Sequence, residues 1–101
     1  MTEDVRTRRM NDIGTDYVRA ICLMSVFVDQ GLIDTFESQE SMCDLIIRCF
    51  RDKSGNLFSK ERLMNILSDV EKGEDAVLTW MVDMEVENIR KSLREGGNNY
   101  S

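Results

Sequence analysis

Histidine is absent from the 101-residue sequence, and so is proline. Without histidine the chain lacks the commonest general base, the Ser-His and Cys-His nucleophile pairs and the most frequent metal ligand. Any catalysis would depend on carboxylates or thiols. The acidic residues Asp83, Glu85 and Glu87 occupy positions typical of a solvated helix surface. We therefore expect no enzyme activity, no catalytic residues, no metal site and no cofactor.

The sequence also lacks a basic excess and a long apolar run. Its 13 Lys and Arg against 19 Asp and Glu give a net charge of −6 at pH 7, and such a field repels phosphate backbones and anionic lipids. The longest apolar run, Ile21 to Val28, is interrupted by Ser25 and is far shorter than the ~20 residues of a membrane span. Residues 1–13 are too polar and charged for a signal peptide. We expect a cytoplasmic protein that binds neither nucleic acid nor membranes directly.

Cysteine is scarce and its pattern is not that of a disulfide framework. Cys22, Cys43 and Cys49 are odd in number and show no CxxC spacing. Each lies among apolar neighbours, which favours free, buried thiols.

The residues that are abundant favour helix. Leu, Met, Glu, Arg and Lys lose little side-chain freedom in a helix, and no proline interrupts the pattern. A chain of this length forms one core. The sequence predicts an all-α fold: one small domain of four to six helices, arranged as a compact bundle or an orthogonal array, over residues 15–96. Because Gly14 interrupts any helix begun before it, we expect a flexible arm over residues 1–14, and a disordered tail over 97–101.

Several helix borders carry local signals. Ser, Thr and Asp favour helix N-termini, and glycine favours the position after a helix C-terminus. These preferences predict a first helix over 16–30. The predicted borders are N-caps at Thr15, Ser38 and Ser59, helix ends at Gly31 and Gly73, and a last helix that begins near Glu74 and Asp75 and ends before Gly96.

The predicted first helix is apolar almost all the way round, although a helix that covers one side of a domain needs only a stripe. One face, at helical spacing, consists of Tyr17, Ala20, Met24, Phe27 and Val28. Two interpretations fit this excess. Either part of the helix meets a partner protein, or the helix is central and its own domain surrounds it.

One loop has a limited likeness to a calcium-binding loop. With Gly55 at the sixth position, Glu61 falls at the twelfth, as in an EF-hand. However, the first position is Phe50, which has no side-chain oxygen. An ordinary connection between helices is the favoured interpretation, and a degenerate calcium module is an alternative.

The order of features resembles the AsiA family, small anti-sigma factors of T-even bacteriophages. The resemblance covers residues 16–94. The matching segments are DYVRAI in the first helix, LIDTFES before the second, GNLFSKERLMNILSDV after the turn, and EDAVLTWMVDMEVENIRKSL in the last helix.

The resemblance implies an all-helical protein that self-associates through its first helix and exchanges that contact for the C-terminal, promoter-reading domain of a sigma factor. It carries Ala20, Met24, Phe27 and Val28 over as partner-binding residues, with Leu45 and Cys49 adjoining them on the second helix. Acidic residues would engage the basic surface with which a sigma domain meets DNA.

Our leading hypothesis is therefore a protein-binding modulator of transcription that captures a sigma factor of bacterial RNA polymerase and also forms a homodimer. The second hypothesis is an acidic phage antagonist of a host nucleic-acid-binding defence protein, and the third is the calcium module described above.

Overall fold

A computed structural model describes residues 3–98 and contains five helices and no strand within that range. The prediction of a small all-α domain with four to six helices is confirmed. The helices are α1 (Glu3–Ile13), α2 (Thr15–Asp29), α3 (Gln39–Cys49), α4 (Lys60–Lys72) and α5 (Ala76–Asn98).

Most helix borders coincide with the predicted local signals. The hydroxyl of Ser38 accepts the amide of Ser41 at 3.1 Å, and the hydroxyl of Ser59 accepts the amide of Arg62 at 3.3 Å. Each bond satisfies a backbone donor that the first turn of a helix leaves unpaired. Gly73, with φ 68°, ends α4 in the left-handed conformation. The N-caps of α3 and α4 and the end of α4 are thus confirmed.

The last helix is longer than its sequence predicts. One carboxylate oxygen of Asp75 accepts the amides of Val77 and Leu78, both at 3.1 Å, and α5 begins at Ala76. The helix continues through Gly96 to Asn98. Residues 97–98 of the predicted tail are therefore helical, because two glycines weaken a helix without forcing it to end. The rest of that tail, 99–101, lies outside the described residues.

Residues 3–13 of the predicted arm form the helix α1, which packs against α5 and α2. Gly14 has φ 99° and marks a bend, but it does not end the backbone hydrogen bonding. Its amide donates to the carbonyl of Met10 at 2.9 Å, and its carbonyl accepts the amide of Val18 at 3.1 Å. The chain thus passes from α1 into α2 almost without interruption.

The start of α2 also differs from the prediction. Thr15 lies inside the helix, and Gly14 precedes it without a side-chain cap. Asp16 accepts the amides of Tyr17 and Lys53, each at 3.0 Å, so its carboxylate connects α2 to the loop before α4.

The core surrounds α2, which contacts all four other helices. The aromatic ring of Tyr17 meets that of Phe58 edge-on, with centroids 4.7 Å apart, and the Tyr17 hydroxyl accepts the amide of Ser59 at 2.9 Å. Seven side chains of α2 are buried: Tyr17, Val18, Ala20, Ile21, Cys22, Met24 and Val26. The apolar excess of this helix is used chiefly inside its own domain, as the second interpretation proposed.

Candidate protein-binding surface

Three of the residues predicted to bind a partner lie in the core. Tyr17 is 5% exposed, and Ala20 and Met24 are each 4% exposed. In this fold α3, α4 and α5 cover the helix that carries them, so these three side chains do not lie on its surface. Periodicity reports which residues share a helix face, but it does not report what packs on that face.

Phe27 and Val28 are half-buried, and they lie in different grooves. Phe27 faces α5, whereas Val28 lines a groove beside Phe36, before α3, and Met42 on α3. The structure therefore separates two residues that the sequence predicts to act together.

The two predicted residues of α3 lie apart from both grooves. Leu45 is half-buried against the core, and Cys49 is exposed. The sequence predicts three buried cysteines. That prediction is wrong for Cys49, whereas Cys22 and Cys43 are buried.

The groove between α2 and α5 has a volume of about 340 Å³ and a largely apolar lining. Phe27 and Leu23 line it from α2, and Ile89 and Leu93 line it from α5. Leu93 remains 38% exposed, although it belongs to a row of apolar side chains. We call this surface the α2–α5 groove.

Two ion pairs cross from α2 to α5 beside this groove. Arg19 contacts Glu85 at 3.3 Å, and Asp29 contacts Arg90 at 3.3 Å. The residue that comes later in α2 pairs with the residue that comes later in α5. The two helices therefore run in roughly the same direction. Exposed pairs of this kind contribute about 0–1 kcal/mol each, so they add little to the stability of the helix pair. The Arg19–Glu85 pair places opposite charges at the border of the apolar groove.

The buried thiols are poor nucleophiles. Burial, followed by the nearby charges of Glu85 and Asp83, raises the pKa of Cys22 from 9.0 to about 12. Burial, and then Asp44, also raises the pKa of Cys43. Because the thiolate is the reactive form, a raised pKa lowers the reactivity of both groups at neutral pH.

The calcium-like loop is organised by hydrogen bonds to its own backbone. One oxygen of Asp52 accepts the amides of Ser54 and Asn56, both at 2.9 Å, and Gly55 supplies the positive φ of 84° that the turn requires. No cluster of three metal-binding side chains occurs among residues 3–98. Hydrogen bonds from its own backbone thus hold the loop as a turn closed by Asp52.

The α2–α5 groove was missed at the level of sequence. Ile89 and Leu93 belong to an apolar stripe that the last helix shows at helical spacing, and Leu23 lies on the apolar first helix. The signal for each half was present. That the two halves lie side by side depends on the packing of helices far apart in sequence.

Within residues 3–98, no helix combines the length and apolar character that a membrane crossing requires. Comparison of the chain with protein-family models, with characterised proteins and with solved structures finds no match.

Proposed function

We propose that this protein is a non-enzymatic modulator of transcription, of the anti-sigma type, which binds the C-terminal, promoter-reading domain of a bacterial sigma factor. Its site of action would be the bacterial cytoplasm, where sigma factors work. The observation that carries the proposal is the α2–α5 groove, an apolar surface of a size and shape suited to a protein segment.

The resemblance to AsiA-type anti-sigma factors supports the choice of partner. The matching residues, 16–94, comprise nearly all of α2, the whole of α3 and α4, and most of α5. Both walls of the groove lie in this part of the chain. In our proposal the contact surface shifts from the buried residues Tyr17, Ala20 and Met24 to the exposed edge of the same helix and its neighbour α5.

The chemistry of the groove suits a helix of a partner protein. An amphipathic helix that binds in a groove places a few apolar side chains at helical spacing against an apolar floor. Phe27, Ile89 and Leu93 provide such a floor. Aromatic and large aliphatic residues of this kind contribute most of the affinity of protein interfaces.

The net charge of −6 supports a basic partner. A sigma domain that reads promoters presents a basic surface to DNA, and an acidic protein is attracted to the same surface. Attraction of this type raises the association rate and weakens with added salt.

Titration calorimetry with a purified sigma C-terminal domain tests the proposal, with Leu93→Asp as the decisive variant. Leu93 is exposed and lies outside the core, so the charge disrupts the groove without unfolding the domain. We expect the affinity to fall at least about tenfold, as for a central interface residue.

The matched control is Leu57→Asp, since Leu57 is 59% exposed in the loop between α3 and α4. It receives the same charge on a residue that does not line the groove, and it should bind like the unmodified protein. Equal affinity of the two variants would refute the role of the groove, and absence of binding by the unmodified protein would refute the sigma partner.

Sedimentation of the same proteins tests self-association. If the groove also forms a homodimer, Leu93→Asp should be monomeric at concentrations where Leu57→Asp is dimeric. In that case the sigma domain should dissociate the dimer, because both partners would use one surface.

A further inference from the structure

Helix α1 presents one side to α5, and that side has a distinctive composition. Arg6, Arg9, Met10 and Ile13 follow helical spacing and therefore share a face. Arg9 forms an ion pair with Asp75, and the guanidinium carbon of Arg6 lies 5.0 Å from the centroid of the Trp80 ring. Met10 lines a cleft of about 190 Å³ with Met81 and Met84 of α5.

The two ends of α1 are held very differently. At its C-terminal end, Ile13 is 8% exposed, and Arg62 donates to the carbonyls of Asp12 and Ile13 at 3.1 and 2.9 Å. Farther toward the N-terminus the contacts with α5 are the partly buried side chain of Met10, an exposed ion pair and a cation on an exposed ring. Val5 is 51% exposed and adds little. Contacts of these two kinds contribute little stability each and are screened by salt.

The surface under α1 is more apolar than a solvated helix face. Trp80 is 38% exposed and Met84 is 47% exposed even with α1 in place. Asp75 lies at one end of this surface, and at the other end Glu85 lines the cleft while it pairs with Arg19 of α2. The surface thus has an apolar centre, and Asp75 is the carboxylate that meets an arginine of α1. We call it the α5 face and define it by Asp75, Trp80, Met81, Met84 and Glu85.

We propose that the α5 face is a binding site for a partner protein's helix that carries arginines and an apolar side chain on one face, and that α1 occupies this site as a displaceable lid. The contacts of α1 show what such a helix would need. It would place one arginine at the carboxylate of Asp75 and a second arginine on the ring of Trp80. An unbranched apolar side chain would enter the cleft beside Met81 and Met84. Gly14, the bend at the anchored end, is where α1 would pivot. This site lies on the α1 side of α5 and shares Glu85 with the α2–α5 groove, but it does not rest on the sigma-factor proposal.

The first test uses Trp80, the single tryptophan of the chain, as a reporter. Arg9→Gln removes the ion pair without touching the tryptophan, so Trp80 responds only if α1 moves. We expect a red shift of its emission and stronger quenching by acrylamide. Salt should produce the same changes in the unmodified protein, since the screening length falls from about 10 Å at 0.1 M to about 3 Å at 1 M.

The matched control is Arg8→Gln, which removes the same charge from an exposed position of α1. It should leave the emission and the quenching of Trp80 unchanged. Equal responses of Arg8→Gln and Arg9→Gln, or none in either variant and none with salt, would overturn the lid.

The second test supplies the helix from outside, as a labelled synthetic peptide of residues 1–14, with binding followed by fluorescence anisotropy. In the double variant Arg6→Gln, Arg9→Gln the tethered helix competes less, because two contacts are lost. We expect the peptide to bind this variant about tenfold more tightly than the unmodified chain. Equal affinity for the two proteins would overturn the proposal.

A third substitution tests the recognition chemistry of the α5 face. Asp75→Asn, added to the double variant, removes the carboxylate but keeps a side chain that caps helices well. Peptide binding should weaken severalfold while the helical circular dichroism stays the same. Unchanged peptide binding would mean that Asp75 does not select a basic helix, and the proposal would fail.

Discussion

The guanidinium of Arg62 lies over the ring of Tyr17, with its carbon 4.3 Å from the ring centroid, and donates to the carbonyl of Ile13 at 2.9 Å. One side chain of α4 thus closes the C-terminal end of α1 and covers the first turn of α2. Arginine suits this position because its planar group stacks on a ring and donates from several nitrogens at once.

Arg62→Met should lower the free energy of unfolding by about 1–3 kcal/mol, the sum expected for two hydrogen bonds and one cation–ring contact. Urea denaturation measures the change. Arg94→Met is the control, because Arg94 is exposed and pairs only within α5, with Glu87 at 3.7 Å. A loss at Arg62 no larger than that at Arg94 would contradict the linking role of Arg62.

Gly14 permits this arrangement. A methyl group at Gly14 would lie 2.7 Å from a terminal nitrogen of Arg62, and its φ of 99° strains any other residue. Gly14→Ala should therefore destabilise the protein by about 1–3 kcal/mol from strain alone, and further by displacing Arg62. Gly55→Ala separates the two effects, since Gly55 also has a positive φ, of 84°, but nothing within 4 Å. In thermal unfolding, Gly14→Ala should have a lower midpoint temperature than Gly55→Ala. The reverse order would contradict the steric argument.

Cys22 should make stability depend on alkaline pH. Its pKa is about 12 in the folded protein, against 9.0 as its ordinary value. The folded state therefore keeps the proton more firmly than the unfolded state. The stability present below about pH 9 should decline as the pH rises toward 12. Urea unfolding at a series of pH values should show that the stability difference between the unmodified protein and Cys22→Ala shrinks over this window. A constant difference would mean that Cys22 is not protonated preferentially in the folded state.

The N-cap of α3 can be tested by one substitution. The hydroxyl of Ser38 accepts the amide of Ser41 and lies 3.2 Å from the hydroxyl of the same residue. Ser38→Ala should cost about 1 kcal/mol, as is usual for loss of a capping hydroxyl. The comparison is Ser92→Ala, at an exposed position inside α5. This substitution should leave the free energy of unfolding nearly unchanged or raise it slightly. Equal unfolding midpoints for the two variants would show that the cap of α3 is not needed.

The candidate site shows how far sequence reasoning extends. The apolar character of residues on α2 and the stripe on α5 were both evident in the sequence. Helical spacing predicts that Tyr17, Ala20 and Met24 share an apolar face. It does not reveal that α3, α4 and α5 pack around the helix that carries them. Leu93 was seen as part of a stripe, but only its position beside Phe27 makes it part of a groove.

The sequence by itself determined that the chain is helical and where α3 and α4 begin, because a capping hydroxyl and a terminal glycine act over a few neighbouring residues. Only the tertiary structure decided that α2 is central, that α1 packs on α5, and that Phe27 and Leu93 share a groove. Those outcomes depend on how apolar surfaces distant in sequence are matched, and the burial that drives the matching has no direction of its own.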